Sequence, residues 1–139
     1  MTWPRRAGKR KNPEHDLQRA AIQWLRLALV PPAFATSIET GRAGRMARMM
    51  DAARGVTPGF PDMLVFWVGG VIGLELKSAK GVVSDQQIAM AHRLSACGVS
   101  VYTCRTLEQI EAACRAKGVE LRARVSQPEP AAVKGARLT

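Results

Sequence analysis

Cysteine is scarce and unpatterned in this chain. There are three, Cys97, Cys104 and Cys114. The count is odd, and no Cys-x-x-Cys or Cys/His metal spacing occurs, so reduced, buried thiols in a cytosolic protein are the expectation. No apolar run approaches membrane-spanning length. The basic N-terminal stretch is not followed by the apolar segment of a signal peptide. A membrane role is therefore not expected. Acidic residues are also few: 11 Asp and Glu stand against 21 Lys and Arg, for a net charge of +10 and a pI near 10.6. A balance this basic points to a polyanionic partner, nucleic acid before membrane. Ribosomal and other basic binding proteins share the bias, so charge alone does not separate an enzyme from a binder. With low-complexity stretches few and 47% of its 139 residues apolar, the chain reads as one globular domain with a real core.

What is present is organised around Pro61 to Gln87. Two apolar runs meet at Gly69-Gly70, and a two-residue Gly-Gly linker between such runs is a strong β-hairpin signal. Pairing Val68 with Val71 sets Phe66 opposite Gly73, Leu64 opposite Glu75 and Asp62 opposite Lys77. Side chains alternate along a strand and opposite residues share a face. Asp62, Glu75 and Lys77 then fall on one face near the open end. Met63, Val65 and Trp67 with Ile72, Leu74 and Leu76 form the other, which is core. A four-residue loop on the same glycines keeps this result, whereas a three-residue loop reverses the parity. We take the two-residue turn.

Glu75 lies in a strand that otherwise reads as buried, where an isolated carboxylate is costly unless paired or bound to a metal. Asp62 is its diagonal neighbour, within reach of a shared ion. Two carboxylates with waters and a substrate phosphate suit Mg²⁺ or Mn²⁺. Lys77 on the same face can orient an attacking water or steady charge on phosphorus. The competing view is a surface ion-pair cluster at a strand end.

Pro61-Asp62 followed by Glu75-Leu76-Lys77 resembles the PD-(D/E)XK nuclease signature. The longer string is more specific. Gly59-Phe60-Pro61-Asp62, then Glu75-Leu76-Lys77, then Gly81-Val82-Val83-Ser84 with Gln87, resembles the VRR-NUC branch of that superfamily, and is similar to its small stand-alone members in phages and bacteria. The resemblance runs from about Glu14 to Thr103. It implies an α/β restriction-endonuclease-like core, with a mixed central β-sheet flanked by helices. It also implies a divalent-metal-dependent endonuclease acting on DNA, with branched, flap or junction forms as the favoured substrates. By the same resemblance Glu14, Asp62, Glu75 and the carbonyl of Leu76 would hold Mg²⁺ or Mn²⁺. Lys77 would handle the water, and Gln87 would sit at the active site. Double-stranded or branched DNA as partner, a homodimer as one state of assembly, and the cytoplasm of a bacterial or phage-infected cell follow from the same source. The alternative is a non-catalytic nucleic-acid-binding protein on a nuclease scaffold.

The rest of the chain divides into a disordered basic arm over 1–11, the nuclease-like domain over 12–125 and a disordered tail over 126–139. The arm either touches phosphates or is a solvated tail. Asn12 and Pro13 open a first helix as N-cap and first residue, and Pro31-Pro32 ends it. His15 and His92 read as surface. A strand over Ala33 to Thr40 leads to Gly41. Glu39 there is the next acidic candidate, but the asparagine that related sequences carry before it is absent. Gly44 to Arg54 reads as a short helix with a core stripe of Met46, Met49 and Met50. Arg42, Arg45, Arg48 and Lys80 either clamp a DNA backbone or form solvated faces. Ser84 with Gln87 forms a capping box. That role competes with the active-site role, since a glutamine bonded to its own helix cap is not free to reach a substrate. A strand over Val99 to Cys104 lies parallel to the Glu75 strand through a right-handed crossover. Thr106 with Gln109 forms a second capping box, and a short edge strand is expected near Val119 to Val125. The element order is α-β-(α)-β-β-α-β-α.

Overall fold

Asn12 caps the first helix as its side chain dictates. Its carboxamide oxygen accepts from the His15 backbone N–H at 3.1 Å, and α1 runs Pro13–Ala28 with proline in its first turn. The structure, a computed structural model, describes residues 12–38 and 45–125. Glu39, Gly41 and Arg42, the arm over 1–11 and the tail over 126–139 lie outside them. The remaining elements are β1 (Phe34–Ser37), α2 (Arg45–Ala53), β2 (Met63–Trp67), β3 (Gly70–Leu76), α3 (Asp85–Ala96), β4 (Ser100–Cys104) and α4 (Leu107–Ala116).

The four strands form one sheet in the order β1-β2-β3-β4. The first three are antiparallel, and β4 is parallel to β3. The expected mixed α/β sheet with helices on both faces is the architecture found. One face carries Met63, Val65, Ile72, Leu74, Leu76 and Cys104, and α1 and α4 close over it with Ala21, Leu25, Ile110 and Cys114. Each large aliphatic side chain buried there contributes about 1.5–3 kcal/mol. The other face carries Asp62, Gly73, Glu75, Val101 and Thr103, and α3 lies over its β4 side.

The hairpin register differs from the sequence expectation by two residues. Trp67 pairs with Gly70 and Leu64 with Gly73, so the turn is Val68-Gly69 and not Gly69-Gly70. The cause is long-range. The ring of Pro61 sits against Gly73, where a Cβ would meet it at 2.8 Å. Glycine leaves room for that ring in the observed register, a fit that the local turn sequence does not reveal. A two-residue shift preserves parity, so each side chain keeps its expected face. What changes is the partner. Extending the pairing of Met63 with Leu74 by one residue sets Asp62 opposite Glu75, not Lys77. The β1 ladder also continues to this point, since the Ile38 N–H donates to the Asp62 carbonyl at 2.8 Å.

Four other expectations are corrected. Met46, Met49 and Met50 are not core but 77%, 65% and 54% exposed. The core face is already filled by α1 and α4, so α2 stands beside the sandwich with no layer to bury its stripe. Cys97 is exposed, while Cys104 and Cys114 are buried. The strand near the C-terminus reduces to a single bridge between Leu29 and Leu121. There the Arg122 N–H donates to the Ala28 carbonyl at 2.8 Å and its Nε to the Leu27 carbonyl at 2.9 Å, taking up carbonyls that the end of α1 leaves unpaired. Finally, the Gln109 N–H does donate to Thr106 Oγ1 at 3.2 Å. The Gln109 side chain, however, accepts from the Arg105 N–H at 2.6 Å and not from the cap residue.

Candidate active site

The site forms where the hairpin's open end meets the first turns of α1 and α3. Gly59 makes that meeting possible. It sits at φ +79°, and a Cβ on it would lie 2.4 Å from the Gln86 carbonyl oxygen. A residue with a side chain would strain the backbone and collide with α3. The loop therefore seats on α3, and Pro61 delivers Asp62 beside β3.

Glu75 is 3% exposed. Its Oε1 accepts from Gln87 Nε2 at 2.6 Å, and burial pushes its carboxyl up from 4.5 to about 8. A hydrogen bond to Asp62, the charge of Asp62 and the charge of Glu14 add to the rise, and the Lys77 cation opposes it. At neutral pH Glu75 is thus mostly a neutral acid, because burial disfavours its charged form. Asp62 Oδ2 accepts from the Leu76 N–H at 2.8 Å, which locks it across the hairpin.

Gln87 makes its cap contacts and reaches Glu75 with the same side chain. Its Oε1 accepts from the Ser84 N–H at 2.9 Å and its own N–H donates to Ser84 Oγ at 3.2 Å, so the capping box is complete. Its amide nitrogen is then free to donate to Glu75. A primary amide carries acceptor and donors at different ends, so the roles never excluded one another.

Glu14, Gln18, Asp62 and Leu76 line one cleft of about 160 Å³, with Asn12 and His15 at its rim. His15 and His92 are exposed as expected. Glu14 Oε1 accepts from the Ser78 N–H at 3.4 Å. Lys77 is half-buried one residue beyond β3, and its N–H donates to the Cys104 carbonyl at 3.0 Å. Among the described residues no three His, Cys, Asp or Glu side chains are drawn around a common point. Glu14, Asp62 and Glu75 are each held by a donor of the protein instead. Of the basic candidates, Arg48 lines a neighbouring cleft of about 430 Å³ together with Asp62 and Gln87. Lys80 is exposed on the loop after β3. Arg45 begins α2, with its side chain outside the described set.

Arg105 was not anticipated. Its NH1 donates to the carbonyls of Ser78, at 2.5 Å, and Gly81, at 2.7 Å. A single arginine between a strand and a helix cap carries no pattern that would have marked it.

A hairpin that presents two facing carboxyl groups and a following lysine, on a mixed sheet between helix layers, defines a nuclease-type α/β domain of the PD-(D/E)XK class. The VRR-NUC domain matches residues 4–107, a span containing each residue from Glu14 to Gln87 discussed above. The chain belongs to the VRR-NUC domain family. A solved structure described as a VRR_NUC domain protein is similar to it with a TM-score of 0.56 at 12% identity, over 79% of this chain and 91% of that one. At that identity the likeness speaks for the fold. No curated protein matches the chain. Among the described residues no helix is long and apolar enough to cross a membrane.

Proposed function

We propose that the protein is a divalent-metal-dependent endonuclease that hydrolyses phosphodiester bonds in DNA, with branched, flap or junction DNA as its substrates. The observation that carries this reading is the Asp62–Glu75 pair: two carboxyl groups set face to face, one of them buried and holding a proton that the pair would exchange for a cation. The donor chemistry fits Mg²⁺ or Mn²⁺, since Asp62, Glu75, Glu14 and the Leu76 carbonyl offer only hard oxygen ligands. Bound there, the ion would polarise a phosphoryl oxygen and lower the pKa of a coordinated water.

The chain's own residues do the rest. Gln87 fixes the orientation of the Glu75 carboxyl through its amide nitrogen. The Leu76 N–H fixes Asp62. Lys77 holds the attacking water and meets negative charge as it develops on phosphorus. Arg48 beside Asp62 and Lys80 on the neighbouring loop attract the phosphate backbone, as the net charge of +10 does at longer range, and that attraction weakens with salt. A homodimer and action in the cytoplasm belong to the same proposal, since a four-way junction offers two equivalent strands to cut.

The test is cleavage of labelled linear, flap, nicked and four-way-junction DNA in Mg²⁺, Mn²⁺ or EDTA, beside Asp62→Ala. Metal-dependent cutting that the variant loses supports the reading. Tight DNA binding with no cutting in either metal overturns it in favour of a binding protein on a nuclease scaffold.

A further inference from the structure

The loop after β3 turns back beneath Glu14. Two contacts meet the same carboxylate oxygen. The Ser78 N–H donates to Glu14 Oε1 at 3.4 Å. A Cβ placed on Gly81 would stand 2.7 Å from that oxygen and 3.1 Å from Ser78 Oγ. Gly81 is not among the glycines with positive φ, so its backbone conformation is open to any residue. What glycine supplies here is room for the Glu14 carboxylate. The loop is itself fixed from outside. The Gly81 N–H donates to the Ser78 carbonyl at 3.1 Å, closing a tight turn. Arg105 NH1 binds the carbonyls at both ends of that turn. Arg105 is in turn fixed by the end of β4 and by Gln109, which accepts its backbone N–H.

We propose that Gly81 and Arg105 are positioning residues for Glu14. Arg105 holds the Ser78–Gly81 turn, and the turn leaves the Glu14 carboxylate one seat, facing the cleft it shares with Asp62 and Leu76. This rests on the proposed role of Glu14 as a metal ligand. Ser78 and Glu14 are 64 residues apart, and Glu14 lies in a first helical turn that does not itself select a rotamer toward the cleft. Without the turn the side chain is free to swing to solvent. Neither Gly81 nor Arg105 touches substrate; both act through Glu14.

The test is Mn²⁺ binding by the full-length chain in isothermal titration, without DNA, with thermal unfolding in EDTA as a control for folding. The closest atom that Gly81→Ala would displace is the end of the flexible Glu14 side chain at 2.7 Å, with Ser78 Oγ at 3.1 Å and Ser78 N at 3.3 Å giving way by a few tenths of an ångström, so its unfolding temperature should stay close to the wild-type value. Its Mn²⁺ dissociation constant should rise about 10-fold, as expected when a partner that orients a ligand is disturbed. Glu14→Ala should weaken binding at least as much. The double variant Glu14→Ala with Gly81→Ala should bind no more weakly than Glu14→Ala alone, because the added methyl then has nothing to displace. Arg105→Ala should weaken binding too. Arg105→Lys should restore part of it, since both carbonyls are served by the single nitrogen NH1 and an ammonium also carries several N–H donors, though on a shorter side chain without the planar guanidinium geometry. Gly81→Ala carries the test where Arg105→Ala fails to fold.

Unchanged affinity in Gly81→Ala overturns the proposal, as does an additive double variant. Wild-type Mn²⁺ uptake that Glu14→Ala leaves intact removes Glu14 from the ligands, and this proposal with it, while sparing the nuclease reading. A wild-type chain that takes up no Mn²⁺ overturns both.

Discussion

Glu75→Gln is the sharpest test of the Asp62–Glu75 pair and its buried member. In the wild-type protein without divalent cations the Glu75 carboxyl titrates at about 8 when folded, against 4.5 as its ordinary value. The unfolded chain releases this proton above 4.5 and the native protein keeps it to about 8. Between those values the native state binds more protons, so stability falls as pH rises. The contribution is fully present below the lower value and lost through the upper one. One proton sets a limiting slope of about 1.36 kcal/mol per pH unit, and the whole window a ceiling of about 5 kcal/mol. Glu75 is 3% exposed, so solvent screening removes little of it. Glutamine keeps the shape, stays neutral throughout, and can still bond to Asp62 and Gln87. Urea denaturation in EDTA at a series of pH values measures both proteins. The wild-type profile should slope downward from about pH 5 to 8, and the difference between the two should follow one proton. Profiles of equal slope would refute the argument that Glu75 is held protonated. Added Mg²⁺ should stabilise wild type more at pH 8 than at pH 5.5, because metal binding requires Glu75 to shed its proton, and should do little for Glu75→Gln.

Three further outcomes are expected. Lys77→Ala should abolish cleavage while leaving DNA binding intact in a gel-shift assay; retained cleavage removes Lys77 from the mechanism. Gly59→Ala should destabilise by more than about 2 kcal/mol in urea denaturation, since it adds a positive-φ penalty to a collision with the α3 backbone. Burial holds the Cys104 and Cys114 thiols up at about 11 and about 12, while Cys97 is exposed. A disulfide reagent should therefore titrate one thiol in the native protein at pH 8 and all three in denaturant.

Much of the fold and part of the site could be read from the residues alone. The placing of Asp62 and Glu75 on one sheet face survived a wrong register because strand parity repeats every two residues, and the true slide was two, though it made direct partners of two residues expected to be diagonal neighbours. The slide itself was illegible. Gly69-Gly70 satisfies local turn chemistry, but the register is set by Pro61 against Gly73 and Gly59 against Gln86, contacts that exist only once the sheet and α3 have met. The methionines of α2 failed for a related reason. Helical spacing of apolar residues marks a stripe, not what covers it, and α1 and α4 had already taken the available face. Arg105 left no trace because its role lies in two backbone carbonyls, which sequence does not distinguish from any others. Gln87 was posed as a choice between the cap that spacing indicates and the site that the family resemblance implies, and only the geometry shows one amide that completes the cap and still reaches Glu75.

That shared amide makes the beginning of α3 and the readiness of the site a single event. Whenever the first turn of α3 frays, as helix ends do on fast timescales, Ser84 and Glu75 lose the same side chain together. Glu75 then gains rotational freedom at the moment its helix loses its cap. The fraction of molecules with a set carboxyl geometry can be no larger than the fraction with that turn wound. A substitution that only loosens the helix start, such as Ser84→Gly, is thereby a change in how often the Glu75 carboxyl is held in place, made at a residue that does not itself touch that carboxyl.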